Sequence, residues 1–324
     1  MEGIFRRKKP LHRTACGPPP LEIEGRIFIV NAPDHKFGAA DTARVLVQAL
    51  PYIQRFHGKA VVVKLGGAAI DAELDRALAQ DVLLLRSVGV RCVLVHGGGP
   101  QVNEMMRRMG KEPVFRDGIR VTDEETLDIV RMVLVGKINR DLVGTINRET
   151  NEEPVAMGIS GEDGGLLTVT PRESSFGYVG DVSHVRASVL HRLLDEGLTP
   201  VVSTIGADEG GQPYNINADE AARAIAVAMA AEKIVYLTAA PGLLEDVNDE
   251  DSLVPRLTSQ ELRARIGDDS ISAGMIPKLR ACADAVDGGV GSAHIIDGRV
   301  AHSLLVEILT DEGIGTMVKR EANW

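Results

Sequence analysis

The chain has 324 residues, and 36 lysines and arginines stand against 46 aspartates and glutamates, so the formal net charge is −10. Hydrophobic residues make up 44% of the sequence and charged residues 25%, which is typical of a globular protein and excludes a disordered or collagen-like chain. With 3% aromatic residues and an acidic balance, the chain lacks the basic field and the stacking surfaces of nucleic-acid binders. No apolar run approaches the roughly 20 residues of a membrane helix.

The first 38 residues differ in composition from the rest. Basic residues crowd positions 6–13, and three prolines follow at 18–20. No apolar segment follows the basic cluster as it would in a secretory signal peptide, so we expect a flexible extension over 1–38 and a cytoplasmic protein. Residues 39–57 have the apolar spacing of an amphipathic helix that is bent at Pro51.

From residue 58 onward, short apolar runs alternate with longer segments of helical periodicity. The apolar runs predict buried strands at 61–65, 92–95, 155–159, 200–204, 234–238 and 292–296. The helical segments lie at 71–88, 100–109, 123–148, 186–196, 217–231, 258–265 and 277–287. This alternation predicts an α/β fold with a mainly parallel sheet covered by helices on both faces. The glycine-spaced segment 165–182 predicts a β-hairpin above the sheet.

Glycine-rich turns follow four of the predicted strands. They read Lys64–Gly67, His96–Pro100, Ser160–Gly165 and Ser203–Gly206. Glycine lets backbone N–H groups approach a phosphate, and a following helix N-terminus favours an anion, so four such turns favour phosphate binding over ordinary tight turns. Neither GxxxxGK[ST] nor GxGxxG occurs, which disfavours a P-loop NTPase and a standard dinucleotide-binding dehydrogenase.

Two further segments bring polar side chains towards these turns. Asn217 is a candidate N-cap of an alanine-rich helix, which would leave Asn215 and Asp219 to face the strand ends. Lys278 falls in the first turn of another helix, where the helix dipole disfavours a cation. It is therefore either a solvated surface lysine or a group compensated by a bound phosphate. The three cysteines and eight histidines show no metal-ligand spacing, so we expect no metal held by the protein.

Five runs, taken in order and with their spacing, resemble the amino acid kinase family and, within it, the members that phosphorylate N-acetyl-L-glutamate. The runs are Lys64–Gly67, His96–Pro100, Asp117–Thr122, Asn215–Asp219 and Gly274–Lys278. The resemblance extends from Asp41 to Met317. It implies a three-layer α/β/α sandwich in two lobes, with residues 58–232 for the amino acid and 233–324 for ATP. It also implies transfer of the ATP γ-phosphoryl group to the substrate γ-carboxylate in arginine biosynthesis, with Mg²⁺ arriving on ATP.

The resemblance assigns roles to residues at the strand ends. Lys64 and Lys278 flank the transferring phosphoryl group, and Asp219 holds the two lysines in place. The backbone N–H groups of four glycines contact the phosphates and the transition state: Gly66, Gly67, Gly98 and Gly99.

The same resemblance assigns the amino-acid substrate to two residues. Arg120 grips its α-carboxylate and Asn215 binds it from the other side. The alternative for Arg120 is a surface ion pair with Asp117 or Asp123. A sibling kinase acting on aspartate or an aminoadipate derivative also stays open, as does a nonenzymatic arginine-sensing protein.

The two ends of the matched region resemble the arginine-inhibited, hexameric members of the family. Those ends are Ala49–Ile53 and His294–Met317. The resemblance implies a homohexamer joined by the helix at 39–57, with L-arginine as inhibitor and with the possibility of a nitrogen-signalling protein partner. The effector residues would be Tyr52, His294, Glu307 and Gly313. The alternative is an amphipathic helix folded on its own subunit.

Three positions depart from the family pattern. Ala239 stands where the adenine-side motif usually has aspartate, Ala68 where many arginine-sensitive members have asparagine, and Glu162 where lysine is common. The last is a charge reversal near the expected phosphates. None of the three alters Lys64, Asp219 or Lys278, so we expect an active kinase whose ATP kinetics differ from those of its relatives.

Overall fold

The structure is a computed structural model, and it describes most of the chain beyond the basic extension. The residues described are 38–66, 75–150, 153–249, 251–266, 271, 275–310 and 313–322, with the backbone alone at 22–23, 26–27, 72–74 and 250. Gly67 and Ala68 lie outside them. The chain forms two compact units, Met1–Val47 and Gln48–Trp324. No helix in the described ranges is long and apolar enough to cross a membrane.

The described parts of the chain contain strands and helices that alternate from β3 onward. In chain order the strands are β1 (Glu22–Ile23), β2 (Arg26–Ile27), β3 (Ala60–Leu65), β4 (Arg91–His96), β5 (Phe115–Arg116), β6 (Ile119–Arg120), β7 (Ala156–Ser160), β8 (Leu167–Pro171), β9 (Gly180–Val185), β10 (Thr199–Ser203), β11 (Ile205–Ala207), β12 (Pro213–Asn215), β13 (Lys233–Thr238), β14 (Arg256–Thr258), β15 (Ser292–Asp297) and β16 (Thr316–Lys319). The helices are α1 (Ala39–Phe56), α2 (Ala72–Ser87), α3 (Gly99–Arg108), α4 (Glu124–Arg131), α5 (Asn139–Glu149), α6 (Ala187–Asp195), α7 (Ala218–Ala228), α8 (Ser259–Arg265), α9 (Ile276–Asp287) and α10 (Ser303–Leu309).

The main sheet has the strand order β14-β16-β15-β13-β3-β4-β10-β7. All neighbouring pairs are parallel except β15 and β16, which run antiparallel. The predicted mainly parallel sheet is therefore confirmed. The sheet is continuous across the predicted lobe boundary at 232/233, because β13 pairs with β3. That boundary stays a prediction.

Alternate residues of each central strand face two separate cores. On β3, Val62 packs into the core that contains Ile225 of α7, while Val61 and Val63 pack into the core that contains Leu85 of α2. Strands buried on both faces must be apolar throughout, which explains the continuous apolar runs in the sequence. Helices thus cover both faces, and the predicted three-layer α/β/α arrangement is confirmed.

The six predicted strands and five of the seven predicted helical segments agree with the structure within one or two residues. The helix predicted at 217–231 ends three residues earlier, at Ala228. The segment 123–148 is α4, a π-helix over Met132–Ile138, and α5 rather than one α-helix. The predicted hairpin is present as the antiparallel pair β8–β9, and it belongs to a second sheet of order β12-β11-β8-β9.

Candidate active site

The four glycine-rich turns leave the main sheet at one level. Leu65 of β3 pairs with His96 of β4, and His96 in turn pairs with Ser203 of β10. Ser203 pairs with Ser160 of β7. Since the strands are parallel, their carboxyl ends meet at the same edge. The four glycine-rich turns therefore lie along one edge of the main sheet.

Lys64, Asp219 and Lys278 form a cluster at this edge. Lys64 Nζ lies 2.7 Å from Asp219 Oδ1, and Lys278 Nζ lies 3.2 Å from Asp219 Oδ2. One carboxylate therefore holds two ammonium groups, one on each oxygen. The side chains of Lys64 and Asp219 are each 8% exposed, whereas that of Lys278 is 24% exposed. Lys278 is thus the lysine nearer to solvent.

The electrostatics of this cluster reflect burial and mutual attraction. Burial raises the pKa of Asp219, but attraction to Lys64 and Lys278 outweighs it and holds the pKa of that carboxyl below its usual range. Burial lowers the pKa of Lys64, and the neighbouring Lys278 charge adds to this effect. The cluster thus places two ammonium groups on one carboxylate, at the edge of the sheet where the glycine turns lie.

The local sequence explains why Asp219 faces the lysines. Asn217 is the N-cap of α7, and its side chain accepts hydrogen bonds from the backbone N–H groups of Asp219 at 2.9 Å and Glu220 at 3.3 Å. The N-cap predicted at Asn217 is confirmed. The backbone carbonyl of Asp219 accepts a hydrogen bond from the buried Tyr236 hydroxyl at 3.4 Å. The helix end is thereby fixed without use of the Asp219 carboxylate.

Two of the turn glycines are required by close packing. A Cβ on Gly66 would lie 2.7 Å from the Leu237 carbonyl oxygen, and a Cβ on Gly98 would overlap Ile138. Gly99, at the start of α3, is different: within the described part of the chain, no atom lies within 4 Å of where its Cβ would be. The absence of a side chain at Gly99 therefore keeps space open rather than satisfying a packing contact.

A cleft of about 190 Å³ adjoins the glycine turns. Its lining includes Gly97–Gly99, Arg120, Asn215 and Asn217. Val179 and Gly180, where β9 begins, contribute another side. The predicted substrate residues Arg120 and Asn215 are thus brought to one cavity with the glycines of the β4 turn.

Arg120 is buried, with 7% of its surface exposed. Its guanidinium donates to the Gly99 carbonyl oxygen at 3.2 Å and to Met106 Sδ at 3.2 Å, and it lies 4.8 Å from the centre of the Phe115 ring. Burial lowers its pKa to about 10, so it stays charged at neutral pH. None of the carboxylates in the described ranges lies within ion-pair distance of it.

Arg120 therefore forms no ion pair with Asp117 or Asp123 in the structure, and that alternative is wrong. Asp123 is instead the N-cap of α4 and pairs with Lys111, with Lys111 Nζ 2.7 Å from Asp123 Oδ1. Asn215, at the end of β12, lines the same cleft, and its side-chain amide donates to Thr122 Oγ1 at 3.4 Å.

Sequence reasoning missed a buried polar pair beneath the β4 turn. His96 Nε2 lies 3.1 Å from Asn139 Nδ2, and His96 Nδ1 lies 3.0 Å from the Gly97 carbonyl oxygen. Burial lowers the pKa of His96 to about 4, so the ring is neutral, donates from Nδ1 and accepts at Nε2. The ring thus anchors the glycine turn rather than supplying charge. Asn139, 43 residues away, gives no local signal of this contact.

Three of the four predicted effector residues lie together, with His294 on β15, Glu307 on α10 and Gly313 in the segment that follows α10. His294 Nδ1 lies 2.5 Å from Glu307 Oε1, and a Cβ on Gly313 would lie 3.6 Å from Glu307 Oε2. Burial lowers the pKa of His294 to about 4, so the ring is neutral, and its Nε2 lies 2.8 Å from Ser292 Oγ. Lys233, which the sequence reasoning missed, donates to the Glu307 carbonyl oxygen at 3.0 Å.

Tyr52 reaches the neighbourhood of this group through α1. It lies one helical turn before Phe56, whose buried ring faces the Lys233 ammonium at 5.2 Å. Tyr52 itself is half-buried and packs against the α2-side core. The structure therefore brings together His294, Glu307 and Gly313, whereas no contact joins Tyr52 to them in the described ranges.

The structure describes two of the three residues that depart from the family pattern, Glu162 and Ala239. Glu162 pairs with Arg131, with Arg131 NH2 2.9 Å from Glu162 Oε1, and it also accepts a hydrogen bond from Ser160 Oγ at 3.3 Å. Its charge is thereby neutralised within the fold. Ala239 is exposed in a turn that Thr238 closes by accepting from the Ala240 N–H at 3.1 Å.

Comparison with known proteins agrees with this arrangement. A model of the amino acid kinase family matches residues 59–297. The chain belongs to the amino acid kinase family. The match covers every strand end described above, from Lys64 to the end of β15. The family and the fold predicted from the sequence are confirmed.

Its curated relatives include several acetylglutamate kinases. That of Acaryochloris marina is 48% identical over 284 residues, which cover 87% of this chain and 99% of that protein. That of Symbiobacterium thermophilum is 51% identical over 290 residues, covering 86% and 98%. That of Acidothermus cellulolyticus is 50% identical over 288 residues, covering 85% and 96%. These relatives bear the name of the activity predicted from the sequence.

Solved structures give the same fold. The N-acetylglutamate synthase of Neisseria gonorrhoeae, complexed with coenzyme A and N-acetyl-glutamate, superposes with a TM-score of 0.76 at 27% identity, covering 86% of this chain and 64% of that one. The carbamate kinase of Giardia lamblia bound to AMP-PNP superposes with a TM-score of 0.62 at 18% identity, covering 82% and 99%. The second likeness shows the fold alone.

Proposed function

We propose that the chain is an acetylglutamate kinase, which transfers the ATP γ-phosphoryl group to the γ-carboxylate of N-acetyl-L-glutamate. The observation that carries this is the Asp219 carboxylate with Lys64 and Lys278 on its two oxygens, at 2.7 and 3.2 Å. Two ammonium groups beside glycine turns suit the meeting of two anionic substrates. The relatives of about 50% identity bear this activity in their names.

The reaction needs alignment and charge rather than a general base. The acceptor carboxylate is already ionised at neutral pH, so one of its oxygens attacks the γ-phosphorus directly. The new P–O bond forms as the bond to the β-phosphate oxygen breaks, which yields an acyl phosphate and ADP. Lys64 and Lys278 stabilise the charge on the transferred oxygens and on the leaving ADP. Asp219 keeps both ammonium groups in place.

The glycines of two turns act through their backbone. Gly66, Gly67, Gly98 and Gly99 donate N–H groups to the phosphates and to the transferring phosphoryl group. Support comes from the open space at Gly99 and from the position of Gly98 at the start of α3, where a helix dipole favours negative charge.

The cleft lined by Arg120 and Asn215 holds the amino-acid substrate. The Arg120 guanidinium binds the α-carboxylate, because it is charged, buried and has no carboxylate partner in the described parts of the protein. Asn215 lines the same cleft and contacts the same substrate from the other side. Residues 58–232 then form the amino-acid lobe.

ATP binds to residues 233–324, and Mg²⁺ enters on its phosphates. Asp219, the carboxylate nearest the reacting groups, is engaged by two lysines. Within the described ranges, no three histidines, cysteines or carboxylates are grouped to hold a metal ion. Mg²⁺ keeps several waters and binds phosphate oxygens readily, so it needs no dedicated protein site here.

The test is an ADP-release assay combined with hydroxylamine trapping, which converts an acyl phosphate into a hydroxamate. We expect hydroxamate formation with N-acetyl-L-glutamate and ATP-Mg²⁺, and none with ATP omitted. Aspartate and N-acetyl-aminoadipate are the comparison acceptors, and a higher kcat/KM with either would transfer the assignment to a sibling kinase. If no acceptor gives a hydroxamate while arginine binds in calorimetry, the protein is a nonenzymatic arginine sensor.

L-Arginine inhibits the enzyme at the group around Glu307, in a homohexamer whose subunits are joined through α1. The support is a buried carboxylate held by His294 and by the Ile314 N–H at 3.2 Å, which suits a guanidinium ligand. Leu50 of α1 is 48% exposed, which leaves an apolar side chain for a neighbouring subunit. A nitrogen-signalling protein is a further partner for such a ring.

Arginine titration and sedimentation of the full chain test this regulation. We expect sigmoidal inhibition of a hexamer. Each inhibition curve is normalised to the uninhibited rate of the same variant, and Glu307→Gln should then raise the arginine concentration for half-inhibition at least tenfold over the wild type. Glu196→Gln, an exposed glutamate, is the matched control. A truncation should stop at residue 47, because Phe56 is 1% exposed and belongs to the core. A dimer insensitive to arginine would overturn the regulation.

A further inference from the structure

Arg120 is held by neutral groups alone within the described structure. Its guanidinium contacts Met106 Sδ, the Gly99 carbonyl oxygen and the face of the Phe115 ring, at 3.2, 3.2 and 4.8 Å. A buried arginine ordinarily has a carboxylate partner, because burying an unpaired charge is strongly unfavourable. The aromatic ring stands here in place of that partner.

The contact between Phe115 and Arg120 is fixed by a two-residue hairpin. β5 and β6 pair antiparallel with Phe115 directly opposite Arg120. The connecting residues Asp117 and Gly118 have φ angles of 50° and 76°, as a tight hairpin turn requires. Side chains directly opposite on a strand pair lie close together, so the turn aims the ring at the guanidinium.

Packing in a hydrophobic core does not explain why an aromatic side chain stands at position 115. Its side chain is 49% exposed at the cleft wall, although an aromatic ring of this size is usually placed in a core. The guanidinium is the ring's described partner. A ring face attracts a cation more strongly when the cation is desolvated, as Arg120 is. Stacking also leaves the N–H groups at the edge of the guanidinium available, whereas a carboxylate would occupy them.

We propose that Phe115 is a positioning residue for substrate binding, because its ring holds the Arg120 guanidinium in place without neutralising it. The charge and the remaining N–H donors of Arg120 then meet the α-carboxylate of the substrate. This inference rests on the proposed function, since it concerns how the same cleft recognises N-acetyl-L-glutamate. It adds a residue that itself carries no charge and makes no hydrogen bond to the substrate.

Steady-state kinetics of Phe115→Leu against the conservative variants Phe115→Tyr and Phe115→Trp test the role. Leucine keeps an apolar side chain but removes the ring, and we expect KM for N-acetyl-L-glutamate to rise roughly five- to tenfold. KM for ATP and kcat should stay within about twofold of the wild type. Tyrosine and tryptophan should keep the wild-type KM because they retain the ring face.

Phe176→Leu is the matched control. Its ring faces the Arg116 guanidinium at 5.8 Å, so the substitution removes a similar contact whose arginine does not line the cleft. We expect an unchanged KM for the amino acid. A comparable rise in Phe176→Leu would overturn the assignment, because the effect would then come from the surrounding loops.

A substrate without the α-carboxylate separates positioning from general packing. With 4-acetamidobutanoate, Phe115→Leu and the wild type should have the same kcat/KM, since Arg120 has no carboxylate to bind. An equal loss with both substrates, or a wild-type KM for N-acetyl-L-glutamate in Phe115→Leu, would overturn the inference. Failure of the wild type to phosphorylate N-acetyl-L-glutamate is a separate result and overturns the proposed function.

Discussion

Asn217 caps the helix that carries Asp219: its side-chain oxygen accepts a hydrogen bond from the backbone N–H of Asp219 at 2.9 Å. Aspartate is itself a favoured cap, so two suitable side chains stand within one turn of each other. Because Asn217 takes the cap, the Asp219 carboxylate remains for Lys64 and Lys278. The helix end and the ammonium pair are thus organised by neighbouring residues with different tasks.

Asp219→Asn should lower kcat by more than a hundredfold and also lower the melting temperature. The amide keeps the size of the side chain but leaves the buried Lys64 without an anion, a change that costs about 3–5 kcal/mol when a buried pair is broken. Activity and thermal unfolding measure the two effects. Glu220→Gln is the control in the same helical turn, since Glu220 pairs with Arg223. Full activity in Asp219→Asn would contradict the role of the carboxylate.

Lys278→Ala should separate catalysis from stability. We expect kcat to fall more than a hundredfold, about 3 kcal/mol of transition-state stabilisation, because the variant loses a cation beside the transferred phosphoryl group. The side chain is partly exposed at 24%, so the melting temperature should change little. Arg280→Ala removes an exposed cation from the same helix and should keep the wild-type rate. Near-wild-type turnover in Lys278→Ala would refute the assignment.

Asp81 should make folding stability depend on pH. Burial raises its pKa to about 6, although the hydrogen bond with His302, at 2.6 Å, acts in the opposite direction. The folded state therefore favours the protonated carboxyl more than the unfolded chain does, and this stabilisation is lost as the pH rises through about 6. Urea unfolding should show that the stability of the wild type relative to Asp81→Asn falls between pH 5 and pH 7.5.

Asp123→Asn gives the control for this pH effect. The hydrogen bond with Lys111 lowers the pKa of Asp123 to about 2, so its contribution is present above the unfolded value and is lost only in stronger acid. The difference between the wild type and Asp123→Asn should therefore be constant from pH 5 to pH 7.5. A constant difference for Asp81→Asn as well would show that Asp81 does not titrate there.

Glu162→Gln should leave catalysis nearly unchanged. Arg131 already neutralises the carboxylate, so we expect KM for ATP to stay within about twofold of the wild type. The pair is partly exposed, and its loss should cost less than about 1 kcal/mol of stability. KM for ATP and the urea midpoint provide the measurements. A several-fold fall in KM for ATP would mean that Glu162 repels the nucleotide despite its partner.

Much of the sheet could be predicted because parallel strands buried on both faces leave continuous apolar runs. The N-cap at Asn217 was also predicted, from the residue type and the helix that follows. The meeting of Lys64 with Lys278 came from the family resemblance, since no local pattern joins residues so far apart in the chain. The π-helix at 132–138 lay within a longer helical pattern and gave no separate signal.

Other elements of the site and the sheet are too short or too dependent on tertiary contacts to leave a hydrophobic periodicity in the sequence. β5 and β6 have two residues each, too few for an alternation, although Asp117-Gly118 is a strong hairpin dipeptide that could have revealed them. The contact between Arg131 and Glu162 joins residues 31 positions apart and depends on tertiary packing. Strands β14 and β16 were missed because strands of three or four residues carry little hydrophobic signal.

The pairing of β13 with β3 also has a consequence for the order of assembly. These neighbours at the centre of the sheet are separated by more than half of the chain, and closing such a long loop slows folding. During synthesis on the ribosome, β3 keeps an open edge until residues 233–238 have emerged. At that stage Lys64 has no β13 beside it and Lys278 is not yet made. We therefore expect a nascent chain to be inactive even when it already contains the cleft lined by Arg120 and Asn215.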